Sequence, residues 1–104
     1  MDVAELLAAL ASLRGEIARD IKEKKGAGGT TILAESNIFV TAAANLGWYN
    51  GQPPTIYTLL KSIEFAHAQI TIETVRDGVS ETASHMLAAI AVTGNAKEDH
   101  QRIR

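Results

Sequence analysis

The chain has 104 residues, 46% of them hydrophobic and 21% charged, with a formal net charge of -2 and a pI near 5.9. That suffices for one domain and lacks the basic field that nucleic-acid binding needs. The absence of cysteine excludes disulfides, thiol catalysis and thiolate-held zinc or iron-sulfur clusters, and no run of about eighteen apolar residues suggests a membrane span.

The amino terminus, Met1-Asp2-Val3-Ala4-Glu5, has no basic region of the kind a secretory signal carries, so a cytoplasmic protein is expected. Residues 3 to 25 predict an amphipathic helix, because Val3, Leu6, Leu10, Leu13 and Ile17 recur at 3, 4, 3 and 4 and Leu7 and Ile21 widen the stripe. Asp2 is placed to cap its first turn. Lys22, Lys24 and Lys25 gather in its last turn, where the helix dipole favours cations, and Gly26 should end it.

Gly26-Ala27-Gly28-Gly29-Thr30-Thr31 reads as a flexible connector. Ile32 to Leu46 follows as an alanine-rich second helix stopped by Gly47, with a short strand near 37–41 as the competing reading because Ile38, Phe39, Val40 and Thr41 favour β structure. Residues 48–54 form a loop in which Asn50-Gly51 favours a tight turn and Pro54 suits the first position of a third helix from Thr55 to about Arg76. That helix has the stripe Ile56, Leu59, Leu60, Ile63, Ala66 and Ile70, although residues 69–76 also alternate like a strand. Ser80 can cap a fourth helix through Ala83, Met86, Leu87 and Ile90, ending at Gly94-Asn95, and residues 96–104 make a charged tail. The expected architecture is a single, mainly α-helical domain over 1–104: a bundle of about four helices completed by self-association, with an α+β fold as the alternative.

The charge distribution supplies the reason for self-association. From Gly26 to Leu60 the only charged residue is Glu35, and a small monomer has too little interior to hide so long a run. A homo-oligomer is expected with an interface drawn from residues 36–60, and Phe39, Trp48, Tyr49 and Tyr57 are the candidate contact residues.

Two other readings stay open. Lys24 and Lys25, the amides and hydroxyls of Gly28, Gly29, Thr30 and Thr31, and the rings of Trp48 and Tyr49 could together hold a nucleotide or other phosphorylated ligand between subunits, although the order of a Walker loop is absent. Glu64 and His67 have the Glu-x-x-His spacing by which a helix presents ligands to a metal pair, with Glu16, Asp20, Glu35, Glu73, Glu81 and His85 as the available supporting groups. A second Glu-x-x-His is missing, and the simpler reading sets His67 beside Ile63 and Ile70 with Glu64 in solvent. Ser80, Ser84 and His85 lack an oxyanion-hole motif, and His100 lies in the charged tail. No catalytic set and no cofactor are expected. The leading expectation is a non-enzymatic interaction module, an adaptor, inhibitor or assembly component, whose partner is a second copy or another protein, with neither nucleic acid nor membrane as partner.

Overall fold

The structure, a computed structural model, describes residues 3–77. Three helices, α1 (Val3–Glu23), α2 (Ala34–Asn45) and α3 (Ile56–Asp77), pack with α3 in the middle, touching both of the others, and a 3-10 turn (Ala27–Gly29) sits against the start of α3. Among the described residues there is no strand, and no helix is long and apolar enough to cross a membrane. The expected fourth helix, the tail at 96–104, the Asp2 cap, Ser80, Glu81, Ser84, His85 and His100 all lie outside the described residues.

α1 buries the stripe that its spacing predicts: Val3, Leu6, Leu10, Leu13 and Ile17 are all in the core. Each fully buried leucine or isoleucine contributes about 1.5–3 kcal/mol relative to exposure. Asp20 continues the stripe and is buried as well. The helix ends at Glu23, two residues before its expected end, and Gly26 turns the chain with a φ of 89°. That angle suits a residue without a Cβ.

The connector is not the flexible joint its composition predicts. Its 3-10 turn is followed by an isolated antiparallel bridge between Thr31 and Thr55, in which the Ile56 amide donates to Thr30 O at 2.8 Å and the Ile32 amide to Pro54 O at 3.2 Å. Paired amides and the buried side chains of Ala27 and Ile32 supply what the glycines lack.

The bridge fixes the helix directions. A Cβ built on Gly28 would lie 3.5 Å from Tyr57 Cβ and 3.7 Å from Ile21 Cγ2, so the last turns of α1 meet the first turn of α3. Arg14, about two turns earlier in α1, acts on His67, about three turns into α3. α1 and α3 are therefore antiparallel. α2 begins beside the start of α3 through the bridge, and Tyr49, just past its other end, stacks on Phe65 with ring centroids 5.2 Å apart. α2 and α3 consequently run in the same general direction, which obliges residues 48–55 to travel back between them.

That return segment holds the two helices together. Gly51 is buried among Val40 of α2 and Thr58 and Ser62 of α3, and the Gln52–Pro53 bond is cis. α3 then starts on a reciprocal threonine cap: Thr58 N donates to Thr55 Oγ1 at 3.3 Å, Thr55 N donates to Thr58 Oγ1 at 2.8 Å, and the Thr58 hydroxyl donates to Pro53 O at 2.9 Å. This is a capping box with threonine in the place usually taken by glutamate. Pro54, expected at the first helical position, stands instead just before the cap.

The strand alternatives near 37–41 and 69–76 are overturned, since both segments are helical. Phe39, Val40 and Ala43 share one face of α2, and Ile63, Ala66 and Ile70 share one face of α3, so only the helical period buries them together. In α3, Thr71 is accommodated by donating its hydroxyl to His67 O at 2.7 Å.

Candidate functional site

α2 is uncharged around almost its whole circumference, its one charged residue standing at position 35. Its period turns Ser36, Phe39, Val40 and Ala43 into the core. The residues left on the opposite side, Ala34, Asn37, Ile38, Thr41, Ala42 and Asn45, line an open groove of about 330 Å³. Ile38 is 56% exposed there, the most exposed of the large hydrophobic side chains among the described residues. Ile38 is the one large hydrophobic side chain on this face, beside the polar Asn37, Thr41 and Asn45, and among the described residues α3 covers the opposite side of the helix.

Two hydroxyl and amide groups of α2 stand out. Ser36 Oγ and Asn37 Oδ1 are shielded from solvent and have no hydrogen-bond partner. Ser36 faces the core, whereas Asn37 belongs to the groove. An unpaired buried acceptor costs about 1–3 kcal/mol.

The end of α2 is well defined. Trp48 N donates to Ala43 O at 3.0 Å and Gly47 N donates to Ala44 O at 3.0 Å, with Gly47 at a φ of 77°. This is a Schellman motif, with the half-buried Trp48 packed against the core. The structure thus occupies three of the aromatic rings expected at an interface. Phe39 is 1% exposed and belongs to the core, Trp48 packs on that core, and Tyr49 stacks on Phe65. Tyr57 remains 47% exposed, with Lys61 Nζ 5.6 Å from its ring centroid. The outward apolar residue of α2 is Ile38, which sequence reasoning passed over. The signal was its position one step, about 100°, from Phe39, which places the two on different faces once Phe39 is taken as core.

The residues of the phosphate reading fall at two levels of α3. Gly28 packs on Tyr57 at its first turn, with Thr30 and Thr31 tied to Ile56 and Thr55. Tyr49 lies at Phe65, eight residues or about 12 Å further along. Thr30 O accepts the Ile56 amide, while the Gly29 and Thr30 amides are taken up by Gly26 O and Ala27 O. Those bonds occupy amides that the phosphate reading would aim at an anion.

Of the metal candidates, Glu64 Oε1 lies 3.9 Å from Lys61 Nζ, and His67 is half-buried on α3. Burial, with the positive charge of Arg14 adding to it, lowers the His67 pKa from its ordinary 6.5. Among the described residues no three His, Asp or Glu side chains converge as a metal site would require.

The chain matches no protein-family model, no curated protein and no solved structure.

Proposed function

We propose that this chain is a small helical interaction module, cytoplasmic and non-enzymatic, that self-associates through the outer face of α2. The observation that carries the reading is the uncharged groove of Ala34, Asn37, Ile38, Thr41, Ala42 and Asn45, with Ile38 56% exposed on it. α3 offers exposed Tyr57, Phe65 and Ile72 as a rival surface. There Lys61 and Glu64 interrupt the stripe, and both rings already have a neighbour.

The face of α2 is small. From Ala34 to Asn45 it extends about 17 Å, so it buries less than the roughly 800 Å² per partner of a standard stable complex. Association through it is weak, with a dissociation constant in the micromolar range or above, which fits an assembly component that links copies reversibly.

Light scattering coupled to size exclusion, from micromolar to millimolar protein, tests the reading. A mass that rises with concentration is expected, together with its loss in Ile38→Asp, whose circular dichroism and melting temperature stay near those of the parent. Monomeric protein over the whole range overturns self-association.

A further inference from the structure

We infer that Asn50-Gly51 is a self-modification site: when the return segment at 48–55 opens, the Asn50 side-chain amide is lost to attack by the Gly51 nitrogen, and the isoaspartate that forms keeps the segment from closing again on α2 and α3.

The chemistry uses only the chain and water. The Gly51 nitrogen attacks Cγ of Asn50, and the side-chain nitrogen leaves as ammonia, carrying off the Gly51 amide proton. A succinimide ring results. Water then adds to either of its two carbonyl carbons. One opening restores the ordinary main chain with aspartate at position 50, and the other routes the main chain through Cγ as isoaspartate.

The sequence offers four asparagines, Asn37, Asn45, Asn50 and Asn95, and the structure separates the first three. Asn37 and Asn45 lie in α2 and precede Ile38 and Leu46, whose side chains crowd the attacking nitrogen. The Leu46 amide is also engaged, donating to Ala42 O at 3.0 Å, and that of Ile38 lies within the helical ladder. Asn50 is exposed, and Gly51 has no side chain to obstruct the approach. Among the described residues no backbone carbonyl takes up the Gly51 amide.

The packing gates the step. Closing the ring swings the Gly51 nitrogen toward Asn50 Cγ and turns the peptide unit between them. Gly51 has no room to follow while it is seated, because Val40 and Ser62 fill the space around it. Its neighbours are held too: the Tyr49 amide donates to Ala43 O and the Tyr49 ring stacks on Phe65, while Pro53 O accepts the Thr58 hydroxyl. Conversion therefore proceeds through a locally open form. Isoaspartate inserts an extra carbon into the main chain between these two anchors. Gly51 is then displaced from a seat that tolerates no added atom, which costs stability as overpacking does.

The test incubates the protein in warm, mildly alkaline buffer, with and without guanidinium chloride, and maps its peptides by a method that separates aspartate from isoaspartate. Conversion should appear at Asn50 well before Asn37, Asn45 or Asn95. In the folded protein it should be measurable but about tenfold or more slower than in the unfolded chain, the ratio reporting the cost of opening. The isoaspartate fraction should have a lower urea midpoint than fresh protein. Asn50→Gln, whose longer side chain closes a larger ring far more slowly, should keep its midpoint through the same incubation. Fresh Asn50→Asp, which adds the charge without lengthening the main chain, should match its parent.

Equal rates in the folded and unfolded chain overturn the gating, and conversion confined to the unfolded chain shows that the segment does not open. Another asparagine converting first overturns the site. An isoaspartate fraction as stable as fresh protein, or an Asn50→Asp variant as destabilised as that fraction, overturns the block to reclosing.

Discussion

Gly51 lies against Val40 with no space for a side chain between them: a Cβ on Gly51 would stand 2.5 Å from Val40 Cγ1, 3.1 Å from Ser62 Oγ and 3.6 Å from Thr58 Cβ. The contact lets the returning loop pass between α2 and α3. The glycine is needed for space and not for backbone angle, because the positive φ values among the described residues belong to Gly26 and Gly47.

Gly51→Ala should therefore destabilise the protein by about 1–3 kcal/mol, the usual effect of overpacking. Gly29→Ala is the control, since nothing lies within 4 Å of its added Cβ, and it should change stability by less than about 0.5 kcal/mol. Urea unfolding followed by circular dichroism compares them. Equal stability of the two variants would contradict the packing described.

Ser36 has no exposed surface and an Oγ without a partner. Ser36→Ala removes a buried polar atom that gains nothing in the folded state and adds the better helix former. The variant should be more stable than its parent by about 1 kcal/mol, seen as a higher urea midpoint with an unchanged slope. A loss of stability would mean that the hydroxyl has a partner.

The threonine cap of α3 rests on two separable bonds, one to each hydroxyl. Thr55→Ala and Thr58→Ala should each cost about 1 kcal/mol, as lost N-terminal caps do. The double variant should cost close to the sum, because each substitution removes one of the two reciprocal bonds and leaves the backbone amide of the altered residue donating to the other hydroxyl. A single variant as stable as its parent in urea unfolding would argue against the box.

His67 sets a pH dependence. Its pKa is lowered in the folded protein by burial and then by Arg14, so below its ordinary value of 6.5 the unfolded chain binds the proton more readily. Stability is then greatest above about 6.5 and falls as the pH drops from there toward the lowered pKa of the folded state. His67→Gln should flatten that part of the curve relative to the parent, measured by urea unfolding at a series of pH values. An identical slope in the variant would assign the dependence to other groups.

Much of the helical content is legible without coordinates. The stripe of α1 is regular enough to name its buried leucines, and Gly26 and Gly47 announce the ends of helices because few other residues adopt a positive φ at a helix end. Residues 37–41 and 69–76 were ambiguous for a physical reason: β-branched side chains are compatible with both periods, and the choice falls to whichever period buries them together. The candidate site was legible as a region, through its missing charges, and not as a face.

The sequence by itself determined the class of fold, the first helix with its core stripe and the uncharged middle third, because these depend on local spacing and composition. Tertiary structure alone decided that the glycine-rich connector is ordered by pairing with Thr55 and Ile56, that Gly51 is required for space, that Phe39 faces inward, and that Ile38 is left outside. Each of those depends on which distant segment comes to lie alongside. α2 mixes apolar and uncharged polar residues so evenly around its axis that its own sequence barely distinguishes one side from another, and the position of α3 decides which side is buried.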